Sequence, residues 1–216
     1  VRNAIGNHVE IGLDFHGRVK LPMVASLMHK LQAYRPLFYE EVIHPAQNSA
    51  YPRIRSFTHI PLATGERMYN MEQFRDLLEK RCVNIIQPDV SHCGGITNLL
   101  NIARLAECYE VSLAPHCPLG PIAFASCLQV DACCVNFVFQ ESSMGIHYNV
   151  AGKADLLDYV KNKHVLDVDQ EGFIRKLQGP GLGIEIDEEK VRKAAQIAHN
   201  WCEPQWRLKD GAPTTW

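Results

Sequence analysis

The sequence predicts an α/β fold, a (β/α) barrel of the TIM type, on three observations. Short apolar runs of β character alternate with longer runs of helical periodicity. Six of the short runs end on an ionisable residue, at Asp14, Glu40, Glu66, Asp89, His116 and Glu141. Those ends lie 26, 26, 23, 27 and 25 residues apart, the length of one strand, one helix and the return. Right-handed βα units of near-constant length build a parallel sheet, and closing it gathers the C-terminal strand ends at one face, where such barrels carry their sites. A doubly wound open sheet binds at a switch point between two strands and gives no reason for functional groups on all six.

Taken in order, residues 8–13 alternate into the first strand, which runs on into Leu13-Asp14-Phe15-His16-Gly17-Arg18. Residues i and i+2 share one face of a strand, so the Asp14 carboxylate and the His16 imidazole address one site. Residues 20–34 carry apolar residues at helical spacing, with Pro22 in the first turn, where a missing N–H is tolerated. The second strand is 37–41 and ends in acids; a weaker helical segment, 47–56, follows. Residues 60–67 form the third strand with its Gly65-Glu66-Arg67 end, and a helix covers 71–81. The fourth strand is 83–89, and the helix after Gly94-Gly95 runs to about Tyr109. The fifth strand is 111–116, residues 122–134 are helical, and 136–141 are the sixth strand. Residues 1–144 are thus read as a partial barrel carrying the catalytic strand ends. Residues 145–216, with an amphipathic helix over 187–201, are read as a C-terminal segment.

Composition narrows the class. A chain of 216 residues with 46% hydrophobic content supports a globular core, and a net charge of −2 argues against a nucleic-acid or anionic-membrane partner. The expected partner is a small molecule. No apolar run reaches the roughly eighteen residues of a membrane span; residues 121–140 are broken by Gln129 and Asp131. The chain opens on Val1 without a basic stretch and apolar run, so the expectation is a cytoplasmic protein without signal peptide, and a piece of something longer. Eight cysteines without a C-x-x-C pair read as buried thiols of a reducing compartment.

Chemistry then assigns roles. Asp14, Glu40 and Glu66, from successive strands, supply an all-oxygen site that suits Mg²⁺, whereas zinc prefers nitrogen or sulfur. His16 beside the first ligand and His116 three strands on flank that site from opposite sides, a two-base arrangement. Asp89 is placed to accept the ring N–H of His116, fix its tautomer and raise its pKa. Glu141, kept protonated by its like-charged neighbours, and Arg67, beside Glu66, are the candidate substrate-binding residues.

Asp, Glu and Glu on three consecutive strands, the D-x-H of the first, the G-E-R of the third, P-D-x-S-H-x-G-G-I-T on the fourth and H-C-P-L-G-P-I on the fifth together resemble the enolase superfamily, in its mandelate racemase-like branch. The similarity runs over essentially the whole chain, including the tail Gly179-Pro180-Gly181-Leu182-Gly183-Ile184-Glu185-Ile186-Asp187. It implies that Asp14, Glu40 and Glu66 hold Mg²⁺, that His16 is the general base and that the Asp89–His116 pair is the general acid; enolase-superfamily sites use a Lys or His base with Mg²⁺ to stabilise an ene-diolate. Within the branch it implies dehydration of a sugar acid, a galactonate-like aldonate, to the 2-keto-3-deoxy acid, by a homo-oligomer when full length. The alternatives are a racemase or epimerase of a 2-hydroxy acid on the same scaffold, and an inactive fragment.

Two departures stand out. The family usually has Glu-Glu-Pro after this strand, and here Glu40-Glu41 is followed by Val42, with a proline only at 45. Family members also begin with an α+β capping domain and two further strands, so the resemblance implies that the six units are strands three to eight, with the first two and the cap absent, and that residues 145–216 support the barrel and the capping domain. Other features read as plain structure: the His92-Cys93-Gly94-Gly95 turn, with anion binding as the lesser reading, and residues 179–183, too short for a phosphate loop. The three tryptophans read as packing. His147 is a further candidate for the pocket wall.

Overall fold

The computed structural model describes residues 1–145, 155–197, 202 and 205–214. Among them, β1 (Gly12–Asp14), β2 (Phe38–Glu40), β3 (Leu62–Thr64), β4 (Ile85–Ile86) and β5 (Ser112–Leu113) form one sheet in sequence order. Every pair is parallel, in the registers Asp14↔Glu40, Glu40↔Ala63, Thr64↔Ile86 and Ile86↔Leu113. The helices are α1 (Arg2–Ile5), α2 (Leu21–Leu31), α3 (Tyr51–Arg55), α4 (Met71–Glu79), α5 (Gly95–Glu107), α6 (Pro121–Asp131) and α7 (Glu188–Ala194). The βα alternation is therefore as the spacing requires.

The alternation of side chains separates two cores. Tyr39, Leu62, Ile86 and Leu113 point outward and pack with Val24 and Met28 of α2, Phe74, Leu77 and Leu78 of α4, Leu99 and Ile102 of α5 and Phe124 of α6. Their neighbours Phe38, Ala63, Ile85 and Ala114 point the other way and form a second cluster, against which Phe139 packs. The mix of large and small residues fills that interior: the Phe38 and Phe139 rings stack at 5.6 Å and 14°. Gly12 makes room for them, since a Cβ there would fall 2.9 Å from Cε1 of Phe38.

Sequence signals account for most helix ends. Pro22 and Pro121 sit in the first turns of α2 and α6. Asn70 accepts the Gln73 N–H at 3.0 Å while the Gln73 side chain accepts the Asn70 N–H at 3.3 Å, a capping box that starts α4. The weak helical segment at 47–56 resolves into a 3₁₀ stretch, Pro45–Ala50, and the short α3.

Some expectations need correction. The sixth strand, 136–141, does not form a ladder; a bridge joins Leu113 to Phe137, with Leu113 N donating to Asn136 O at 2.8 Å and Val138 N to Leu113 O at 3.0 Å. The next bond would need an N–H from residue 115, which is proline, so the ladder stops. The Gln140 side chain takes over, Nε2 donating to Pro115 O at 2.8 Å. The helix read over 187–201 covers Glu188–Ala194, and Trp201, His199 and 198–200 fall outside the described residues, as do His147 and Trp216. Trp206 is 40% exposed. All eight cysteines are free, but Cys108, Cys133 and Cys202 are exposed; the first two lie at and just past helix ends.

Residues 155–197 lean on the sheet's helical layer: Leu166 and Leu177 join the main core, and Gln129 of α6 donates to Leu182 O at 3.1 Å. Among the described residues no helix is long and apolar enough to cross a membrane.

Candidate active site

The register Asp14↔Glu40 sets two carboxylates side by side at the ends of β1 and β2, two residues beyond the inward-facing positions 12 and 38. Past that point both chains turn through left-handed backbone: His16 has φ +48° and Glu41 φ +38°, conformations that cost non-glycine residues energy and recur at functional sites. The His16 turn is held by its own N–H, which donates to Asp14 Oδ1 at 2.6 Å, an Asx turn. It swings the imidazole across to Glu66, with Nε2 3.0 Å from Oε1.

Glu66 reaches the site because Gly65 precedes it. Gly65 has φ +148°, and a Cβ there would fall 2.9 Å from Gln87 N. The Glu66 carboxylate is buried and lies between two imidazoles, since His116 Nε2 stands 3.4 Å from Oε2. Arg67 turns away to Glu41, with Nε 3.1 Å from Oε1 and Nη2 on Oε2, and keeps Nε 3.9 Å from Glu66 Oε1.

The Asp89–His116 pair is assembled by strand pairing: the two residues form a parallel bridge past β4 and β5. Asp89 is fully buried; Oδ2 lies 2.7 Å from His116 Nδ1, and Oδ1 accepts Ser91 N–H at 2.6 Å. Burial favours the neutral acid, yet the hydrogen bonds from His116 and Ser91 outweigh it and hold Asp89 below the usual carboxylate range. For His116, burial disfavours the charge, but Asp89, Glu66 and Glu141 raise the pKa to about 9. With Nδ1 committed to Asp89, the proton His116 can give up sits on Nε2, facing Glu66.

The other carboxylates are crowded. Burial first, then repulsion from Asp14, Glu141 and Glu66, pushes Glu40 up to about 8, opposed by a hydrogen bond from the Gln87 side chain. Burial raises Glu41 to about 7 despite Arg67, and raises Asp14. Glu141 accepts the Cys117 N–H at 2.9 Å, and desolvation of its carboxyl group raises it too, although the residue stands at an open rim. A cluster of oxygen donors short of positive charge is chemically suited to a hard divalent cation. Among the described residues the ligand atoms that gather most closely are those of His16, Glu41 and Glu66, all within 4.8 Å of one another; Glu66 is common to that group and to the triad read from the sequence.

Two participants escaped sequence reading. Gln87 lies two residues before Asp89 and supports Glu40, a relation the i, i+2 rule offered. His92 donates from Nδ1 to Glu66 O at 3.0 Å and brings its ring 6.5 Å from that of His116. The turn that carries it is a plain one: His92 N and Cys93 N both donate to Asp89 O, and Gly95 N to Val90 O, which leaves those N–H groups to the turn rather than to an anion. A cavity of about 980 Å³ lies elsewhere, between the starts of α5 and α6 and residues Leu156, Tyr159 and Val191, and none of the site carboxylates lines it.

Parallel strands joined by helices, with acids and two histidines at the C-terminal ends, define a class, and residues 1–190 match the family model described as Enolase C-terminal domain-like. The chain belongs to that family. It is 52% identical over its 216 residues to the D-galactonate dehydratase of Klebsiella pneumoniae (strain 342), of which it covers 56%. Among solved structures it is similar to a mandelate racemase/muconate lactonizing enzyme-like protein from Rubrobacter xylanophilus DSM 9941, at 32% identity and a TM-score of 0.79, covering 89% of this chain and 47% of that one. A mandelate racemase/muconate lactonizing enzyme from Jannaschia sp. CCS1 matches at 27% identity and a TM-score of 0.78, over 93% of this chain and 48% of that one. The chain thus spans about half the length of the relatives it matches.

Proposed function

We propose that this chain carries the metal ligands, base and acid of a Mg²⁺-dependent hydro-lyase that converts a sugar acid, a galactonate-like aldonate, to its 2-keto-3-deoxy acid. The observation that carries the reading is the pair of imidazoles on opposite oxygens of Glu66, one of them bonded to a buried aspartate. The D-galactonate dehydratase relative supports the substrate class.

Asp14, Glu40 and Glu66 would hold Mg²⁺, whose charge would make a proton beside an ionised carboxylate removable. His16 then takes the proton from C2 on Nε2, so it works as the neutral imidazole. The electron pair of that C–H bond passes first into the substrate's carboxylate as an enediolate. In a second step it forms the C2–C3 double bond, and the C3–oxygen bond breaks as His116 delivers its Nε2 proton to the departing hydroxyl, which leaves as water. The enol left behind takes up a proton at C3 and releases its hydroxyl proton to give the 2-keto-3-deoxy acid. Asp89 keeps His116 charged for this step, and Glu141, with its raised pKa, is placed to hydrogen-bond a substrate carboxylate oxygen. Arg67 acts through Glu41, whose charge it offsets beside Glu66.

The test is incubation of the protein with D-galactonate and Mg²⁺ in D₂O, followed by NMR. Loss of one water with formation of the keto-deoxy acid supports the dehydratase reading. Deuterium at C2 without loss of water assigns a racemase or epimerase instead.

A further inference from the structure

Two rim residues remain outside this mechanism. Tyr69 stands three residues past Glu66 and His92 three past Asp89, on the loops that follow the neighbouring strands β3 and β4. Their rings meet at 6.0 Å and 55°, and the His92 ring lies 6.5 Å from His116 at 33°. Both are exposed, Tyr69 to 55%. An exposed pair of aromatic rings stepping outward from the acid is a surface on which something can lie.

The anchoring of His92 sets its chemistry. A carbonyl oxygen only accepts, so the 3.0 Å contact with Glu66 O is donated by Nδ1, and Nε2 is the ring's other polar atom. Among the described residues no hydrogen bond is made to His92 Nε2 or Tyr69 Oη, so both polar atoms are available. The guanidinium of Arg67, the residue after Glu66, is bonded to Glu41. The rim beside His116 therefore offers one ring nitrogen, one hydroxyl that both donates and accepts, and two ring faces. That set matches uncharged hydroxyls on a carbon chain. A second carboxylate on the substrate would be brought toward Glu66 and Glu141 with no cation assigned to it.

Resting on the sugar-acid reading above, we propose that Tyr69 and His92 form the subsite for the polyol end of the substrate: the hydroxyls beyond C3 run from His116 over the His92 ring to Tyr69, and this selects a long aldonate over a short 2,3-dihydroxy acid. His92 and Tyr69 bind substrate; they take no part in proton transfer.

The test compares D-galactonate with glycerate, which ends at C3, in the wild-type protein, His92→Asn and Tyr69→Phe. His92→Asn keeps an N–H near the Nδ1 position for Glu66 O and removes Nε2; Tyr69→Phe removes only the hydroxyl. Dissociation constants are measured by calorimetry with Mg²⁺ present, alongside KM and kcat. Each variant is expected to weaken galactonate binding about tenfold more than glycerate binding, the worth of a substrate hydrogen bond, with the loss in KM rather than kcat. Equal losses for both acids, or none for either, overturn the subsite. If wild-type protein binds neither acid, the sugar-acid reading falls and the subsite with it; if it binds and turns over both but the variants keep the length preference, only the subsite falls.

Discussion

His116 Nδ1 lies 2.7 Å from Asp89 Oδ2, and that contact, with Glu66 and Glu141 adding to it, keeps the candidate acid charged. Asp89 is buried without solvent of its own, so its negative charge is expressed on the imidazole it touches. Asp89→Asn should lower the His116 pKa from about 9 toward the ordinary imidazole value. If general acid catalysis has its usual worth, the dehydration rate falls by roughly 10²–10⁴. A kcat profile against pH checks it: the high-pH limb should move down in pH as well as in height.

The same shift makes stability depend on pH in the metal-free protein. A histidine whose folded pKa exceeds its unfolded value binds its proton more tightly when folded. The stabilisation is complete below the ordinary imidazole value of 6.5 and is lost as pH rises through about 9. Melting temperature should therefore fall between those two pH values, and the fall should be shallower in Asp89→Asn. An identical slope in the variant would place the titration elsewhere.

Two ligand sets compete for the cation; they share Glu66, and the choice between Glu40 and Glu41 decides between them. Glu40→Gln should weaken Mg²⁺ binding by more than tenfold in calorimetry, whereas Glu41→Gln should have the smaller effect, because Arg67 already offsets the Glu41 charge. The reverse order would assign the ion to the His16, Glu41 and Glu66 group.

Gly65→Ala tests the turn that delivers Glu66. At φ +148°, with Gln87 N 2.9 Å from the new Cβ, the substitution should cost about 1–3 kcal/mol. For a chain of this size that is roughly 2–12 °C in melting temperature. The Mg²⁺ affinity should drop with it, since Glu66 is displaced; an unchanged affinity would show that Glu66 reaches the site by another route.

The strand-end spacing carried most of the fold because it follows from covalent geometry: one strand, one helix and two turns need about that many residues, and Asp14, Glu40 and Glu66 fall at the ends as counted. The sixth strand was misread because periodicity in 136–141 says nothing about its neighbour. Its pairing was cut short by a proline in the adjoining segment, at 115. Glu41 follows the last residue of β2, where strand alternation would turn it away from Glu40, and its left-handed backbone returns it to Arg67. His92 was hidden for a related reason. Its partner is the carbonyl of Glu66, which no side-chain pattern in the sequence encodes, and its ring meets Tyr69 from a different loop.

The central claim is that His16 and His116 divide the work, one taking the C2 proton and the other giving a proton at C3. Exchange of the C2 proton of D-galactonate in D₂O, followed by NMR in His16→Asn and His116→Asn, tests it most directly. The account predicts no exchange and no dehydration in His16→Asn, and no dehydration but slow, measurable exchange in His116→Asn, since the two bonds break in separate steps. Native-rate exchange in His16→Asn with none in His116→Asn would contradict it and reverse the two roles.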